Sequence, residues 1–203
     1  MLAGCSSDGG DWSSLVGAAR VAWEGGANAV NIDQAAAIPF ATLGLRLDQG
    51  QEQILILATD DDGVRLWTAP GHVSLVTQDG RILRTAGLGT DLTARSTVQR
   101  GDEDWTHRHR YDWTADFNDL GQYSIAIRCD VAPEGADSIE ILGKTFETIR
   151  IAESCESSSM DWRFENTYWV SPESGRVWRS IQHVHPKGPV LEVEYLRPPA
   201  GDR

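Results

Sequence analysis

The chain has 203 residues, 40% of them hydrophobic and 24% charged, with 30 acidic against 18 basic side chains and a net charge of −12. That length buries a core without metal or disulfide staples, and the composition is that of a folded, water-facing chain. The acidity excludes a nucleic-acid partner, which needs a basic stripe to displace counterions, and it disfavours peripheral binding to anionic lipid, so any membrane attachment has to be covalent.

In chain order, the first feature is an attachment of that kind. Leu2-Ala3-Gly4-Cys5 reads as a lipobox, in which small residues let a bacterial signal peptidase cut ahead of Cys5. Cys5 would then be the lipid-bearing N-terminus, carrying several acyl chains, palmitate among them, since one chain alone anchors only weakly. Ser6-Ser7-Asp8-Gly9-Gly10 follows as a flexible tether. The basic and apolar regions of a signal peptide do not precede the lipobox, so the expectation is that the reading frame begins upstream or that the chain has been trimmed. The alternative for the tetrapeptide is a chance match with a free thiol. Ser6, not Asp, stands behind the cysteine, and that directs a lipoprotein to the outer membrane, here on its periplasmic face. No later stretch reaches the roughly 18 apolar residues of a transmembrane helix. The expected organisation is a lipobox remnant and tether over 1–10 and a single β-rich periplasmic domain over 11–203.

One helix is expected next. Trp12, Leu15, Val16, Ala19 and Trp23 recur at helical spacing, with Asp11 as N-cap and Gly25-Gly26 as the stop. Pro39 and Gly44 argue against a helix from Ala35 to Leu47, whose second half reads as a strand. From there strands alternate with tight turns: Gln53 to Thr59, the turn Asp62-Gly63, then Val64 to Thr68. Val73 to Gln78 and Arg81 to Ala86 flank Asp79-Gly80, which suits a type I′ turn. That register sets Val76 opposite Leu83 and Thr77 opposite Ile82, giving a ribbon apolar on both faces. Such a ribbon needs cover on both sides, as in a barrel or sandwich. The eight tryptophans belong mainly to that core, with sugar-facing surfaces as the alternative.

His107-Arg108-His109-Arg110 stands between acidic neighbours and reads as an alternately charged strand in solvent. Cys129 ends the strand-like run from Gln122, and Cys155 follows a second run, Lys144 to Ala152. Adjacent antiparallel strands would bring the two thiols within bridging distance in an oxidising compartment, and two buried free thiols are the alternative. No CxxC or HxxxH spacing occurs, so no metal is expected. Phe164 to Val170, Arg176 to His185 and Val190 to Leu196, separated by Ser171–Gly175 and Pro186–Pro189, form a three-stranded meander. The fold class is therefore mainly β, an antiparallel barrel-like or sandwich arrangement of hairpins and meanders with one N-terminal helix.

Ordered fragments of this chain resemble the YjbF/GfcB lipoproteins of exopolysaccharide and group 4 capsule operons. The fragments are Ile38 to Arg46, Leu75 to Leu88, Ile141 to Thr145, Tyr168 to Pro172 and Gly175 to Ser180. The resemblance implies a β-barrel-like domain, no enzymatic activity, and a part in making or exporting surface polysaccharide. It also implies two partners from the same operon, an outer-membrane β-barrel protein and a periplasmic companion, and leaves open contact with the polysaccharide itself.

The function expected is thus that of a non-enzymatic envelope lipoprotein without a cofactor. Two rivals differ in class. A glycan-active enzyme needs two carboxylates at a set separation, yet Asp60-Asp61-Asp62 and Asp116 to Asp119 read as turns, and no GxSxG elbow occurs. A carrier of lipid or lipid-linked sugar needs a deep apolar cavity; Tyr168 to Gly175 is faintly similar to a strand-turn-strand of half-barrel carriers. Trp169, Arg176 and Trp178 flank an exposed turn and form the candidate recognition surface, with core packing of both tryptophans as the alternative.

Overall fold

The computed structural model describes residues 35, 37–97 and 105–200. Cys5, the tether and the helix expected from Trp12 to Trp23 lie outside the described residues. Twelve strands follow in order: β1 (Thr42–Leu47), β2 (Glu52–Asp61), β3 (Val64–Thr68), β4 (Ser74–Gln78), β5 (Arg81–Ala86), β6 (Ala94–Thr97), β7 (His109–Phe117), β8 (Gln122–Ile141), β9 (Lys144–Ser157), β10 (Trp162–Val170), β11 (Val177–His183) and β12 (Val190–Arg197). They form one 12-stranded sheet in the order β5-β4-β3-β2-β1-β12-β11-β10-β9-β8-β7-β6, antiparallel throughout.

Each hydrogen-bonded neighbour is also a sequence neighbour, except where β1 pairs with β12. The two edges, β5 and β6, are themselves consecutive. The sheet curls until they nearly meet, and the connection between them bridges the gap: Thr85 N donates to Leu92 O at 2.9 Å, and Thr93 N to Asp116 O at 2.9 Å. The result is a nearly closed barrel rather than two stacked sheets, an arrangement that leaves little exposed edge.

Strand alternation decides which face turns inward. Trp113, Ala115 and Phe117 on β7, and Ile125, Ile127 and Cys129 on β8, are buried with Leu43, Leu55, Trp67 and Leu75 from the other half. The outer face carries charge. Asp112, Arg128, Glu156 and Arg163 lie side by side across β7 to β10, and Arg110–Asp130 (2.7 Å) and Arg128–Asp112 (3.0 Å) pair in solvent. Exposed pairs of this kind add little stability, but they make this face a surface for water. A barrel embedded in lipid has the reverse pattern, with an apolar outer band. One apolar patch on the outer face of β2, Ile54 and Ile56, is covered by Ile38 from the segment before β1. Among the described residues no helix is long and apolar enough to cross a membrane.

The Asp79-Gly80 turn forms as its sequence predicts, with φ of 49° and 79°. Glycine is required there twice over, because a Cβ would also lie 2.3 Å from Val177 Cγ2. Thr77 pairs with Ile82 as expected, but Val76 pairs with Arg84, not Leu83. A bulge leaves Leu83 without a cross-strand partner, so that Ile82 and Thr85, three apart, are both buried. The second correction is at β9, which runs to Ser157 and so contains Cys155. Beyond Ala152 the chain looks polar, yet the alternation continues: Glu153, Cys155 and Ser157 are buried while Ser154 and Glu156 are exposed. The third concerns the acidic turns, since Asp60 and Asp61 end β2 and Asp116 lies within β7.

Cys129 and Cys155 stand directly opposite on β8 and β9, with Cα atoms 4.1 Å apart, and are joined as a disulfide. The bridge closes a 26-residue separation, which in the chain-entropy view stabilises the fold by about 3.5 kcal/mol. Replacing both cysteines by alanine is expected to lower the unfolding free energy by about that amount in urea melts. Mass mapping of exported, unreduced protein that found two free thiols would contradict the bridge.

Candidate functional site

The turn between β10 and β11 is exposed from Pro172 to Gly175 and closed by Ser171 N donating to Arg176 O at 2.8 Å. The three residues singled out from sequence flank it, and each has an intramolecular partner. Trp169 is half-buried, and its Nε1 donates to Asp137 Oδ2 at 2.9 Å. That bond, with a second from Ser138 N, holds the Asp137 carboxyl below its ordinary range. Trp178 packs on Phe146 with ring centroids 4.2 Å apart, and the Arg176 guanidinium lies 4.9 Å from the Trp178 ring centre. Asp137 and Phe146 belong to the far end of the long β8–β9 hairpin. A bulge at Pro133/Gly135 bends β8, and Arg179 Nη2 donates to the Glu140 carbonyl at 2.9 Å. The ribbon thus receives the hairpin, a contact between segments that no local sequence pattern signals.

A second constellation lies inside the barrel. Glu153 on β9 is fully buried and shares an ion pair with Arg81, the first residue of β5, which is 3% exposed. Every lone-pair direction of that carboxylate is used. Oε1 accepts from Arg81 Nη1 and from Tyr111 OH at 2.6 Å; Oε2 accepts from Asn166 Nδ2 at 2.7 Å and Tyr168 OH at 3.0 Å. The Arg81 guanidinium is enclosed by rings, with Trp105, Tyr111 and Tyr168 centred 4.5, 4.8 and 5.2 Å away. Arg95 adds a second positive charge at the rim, donating to Tyr111 OH at 2.7 Å and lying 4.1 Å from the Trp113 ring centre.

Gln182 on β11 locks the β4–β5 turn to the same site. Its Nε2 donates to Gly80 O and Ser180 Oγ, both at 2.8 Å, and its Oε1 accepts from Ile82 N at 3.1 Å. Asn166 passes the network on, since its Oδ1 accepts from His183 N at 2.7 Å. The cluster therefore joins β5, β7, β9, β10 and β11 across the interior. Sequence reasoning missed it, and the one available signal was a glutamate at an inward position of an alternating strand.

Burial by itself drives the Glu153 carboxyl upward. Arg81 first, then Arg95, Tyr111 and Asn166, more than reverse this and bring its pKa down from 4.5 to about 2. Burial, reinforced by Glu153, pushes the Tyr168 hydroxyl well above the ordinary tyrosine range. An ionised carboxylate held this low is a poor proton carrier near neutral pH, so the cluster is suited to holding strands rather than to acid–base work. Glu153 also lies within 4.8 Å of the Cys129 and Cys155 sulfurs. Both sulfurs are committed to the bridge, so this trio does not offer a thiolate metal site.

The geometry defines a water-facing antiparallel barrel, apolar and ion-paired within and charged without. Residues 18–196 match the family described as "Group 4 capsule polysaccharide lipoprotein gfcB, YjbF", and the chain belongs to that family. It is similar to two uncharacterized lipoproteins of Escherichia coli K12. GfcB is 24% identical over 172 residues, covering 81% of this chain and 79% of that protein, and YjbF is 26% identical over 184 residues, covering 85% and 79%. The crystal structure of the hypothetical lipoprotein YmcC from E. coli K12 superposes with a TM-score of 0.70 at 22% identity, over 79% of this chain and 88% of that one, which shows a shared fold.

The folded-state pKa of Glu153 lies below its ordinary value, so its stabilising effect is complete above pH 4.5 and is lost as pH falls from there towards about 2. Glu153→Gln is expected to flatten that part of the stability–pH curve and to cost about 3–5 kcal/mol at pH 7, as breaking a buried pair does. Urea midpoints of both proteins between pH 2 and 7 check this. Parallel curves for the two would remove Glu153 from the account.

Proposed function

We propose that this protein is a lipid-anchored, non-enzymatic accessory of exopolysaccharide or capsule assembly and secretion. It is attached through Cys5 to the periplasmic face of the outer membrane, and the barrel hangs into the periplasm on the Ser6–Gly10 tether. The observation that carries the reading is the family match over residues 18–196, whose description couples a lipoprotein with group 4 capsule polysaccharide. The charged outer face supports a barrel that stands in water beside a membrane, and the disulfide suits an oxidising compartment. An outer-membrane β-barrel protein and a periplasmic companion of the same operon are its proposed partners.

A carrier of lipid or lipid-linked sugar would need interior space. The pocket between β5 and the β11–β12 strands, lined by Gly80, Ile82, Val177 and Tyr195, holds about 20 Å³, room for one water and not for an acyl chain. Large side chains such as Trp67, Trp113, Phe117 and Tyr168 occupy the described interior instead. This favours the accessory reading over the carrier.

Expression of the full upstream frame with and without Cys5→Ser, followed by cell fractionation, tests the anchor. The wild type is expected in outer-membrane vesicles and the variant in the soluble periplasmic fraction, with polysaccharide export lost in the variant. Wild type and variant both soluble, or export undiminished by Cys5→Ser, would overturn the proposal.

A further inference from the structure

We infer that the groove at the barrel seam, where β5 and β6 fail to pair, binds the hydroxyl face of a neutral saccharide. The inference deepens the proposed role in polysaccharide handling and rests on it for the class of polymer. The groove has a volume of about 500 Å³, within the roughly 300–1,000 Å³ of ordinary ligand sites.

Its frame is rigid. The Asp91 carboxylate accepts from Thr85 Oγ1 at 2.8 Å, Gly87 N at 3.2 Å and Leu88 N at 3.3 Å, which shapes the loop leaving β5. Thr93 Oγ1 accepts from Asn118 N at 3.1 Å and so ties the opposite wall to the chain after β7. Asp91 and Thr93 are thus committed to structure.

Three planar polar groups on the walls keep their bonding capacity. The exposed Arg84 guanidinium and the exposed Asn118 side-chain amide make no hydrogen bond or ion pair with any described residue. Asp119 is engaged through one oxygen only. His185, whose side chain is fully buried, accepts from Lys187 N at Nδ1 (3.1 Å), so its proton sits on Nε2 and is donated to Asp119 Oδ1 at 3.2 Å. That bond orients the carboxylate and leaves Oδ2 for the groove.

The set comprises a donor fork, an amide that both donates and accepts, and an acceptor. Adjacent sugar hydroxyls each donate and accept, and planar side chains meet two of them at once. The single positive charge of Arg84 is outweighed by the carboxylates of Asp91 and Asp119, so the site does not concentrate positive charge for phosphate. Its walls carry polar or small side chains and no large aliphatic or aromatic one, so a lipid chain finds no large apolar side chain there to pack against.

The test is an amide-resolved NMR titration of the purified protein with galactose, glucose and mannose tetrasaccharides, and separately with inorganic phosphate. At least one tetrasaccharide is expected to shift amides confined to residues 84–93 and 116–123, saturably, while phosphate leaves them in place. Arg84→Ala and Asn118→Ala, both at exposed positions, should weaken the binding tenfold or more with the thermal midpoint unchanged. No saturable shift with any of the sugars, shifts confined to other residues, equal shifts with phosphate, or undiminished binding by both variants would each overturn the inference. The titration uses purified protein, so its outcome is independent of the Cys5→Ser export result that decides the proposed function.

Discussion

The barrel depends on one buried ion pair. Arg81 begins the edge strand β5 and Glu153 lies on β9, so their contact crosses the interior instead of following the sheet. Desolvating two charges is costly, and the attraction between them compensates only when the remaining donors and acceptors are also satisfied. Tyr111, Asn166 and Tyr168 satisfy the carboxylate, and three aromatic rings enclose the guanidinium. These residues come from β5, β7, β9 and β10 and from Trp105 before β7, so the pair is stable only if the sheet has curled to the correct radius. The network therefore specifies a shape as well as contributing stability.

The rest of the architecture follows from that curl. Edge strands that drift apart would expose unpaired backbone and invite intermolecular pairing. Here Gln182 holds the β4–β5 turn to β11, and the Asp91 loop bridges β5 to β6. The β1–β12 pairing joins the two meanders, with Leu45 opposite Val193, and is of high sequence separation. Such a topology pays its loop-closure entropy late, which makes slow folding the expectation and gives the Cys129–Cys155 bridge a use in narrowing the unfolded ensemble. The long β8–β9 hairpin then docks by Trp169 and Trp178 on the outer side, a contact separate from the interior network.

Much of this was legible in the sequence because strands have a period of two. The Asp79-Gly80 hairpin and the C-terminal meander follow from local alternation and turn chemistry, and two neighbouring strand-like runs made a Cys129–Cys155 bridge one of two open readings. Periodicity failed where a polar residue faces inward. Glu153 made β9 look finished at Ala152, since a glutamate is normally placed in solvent until a partner is known. Register failed at Val76 for a related reason: a bulge is invisible to alternation, and it forms because both Ile82 and Thr85 gain burial.

The sequence by itself determined most of the strands, though not β6, most of β7 or the full length of β8 and β9, together with most of the turns, the solvent-facing charge and the family resemblance, because these are local patterns or ordered fragments. Tertiary structure alone decided closure into a barrel over stacking as a sandwich, the pairing of Arg81 with Glu153, the docking of the β8–β9 hairpin on Trp169 and Trp178, and the seam groove. The physical reason is common to all four. Each joins residues far apart in the chain whose attraction becomes worth its desolvation and ordering cost only when the whole sheet has brought them together.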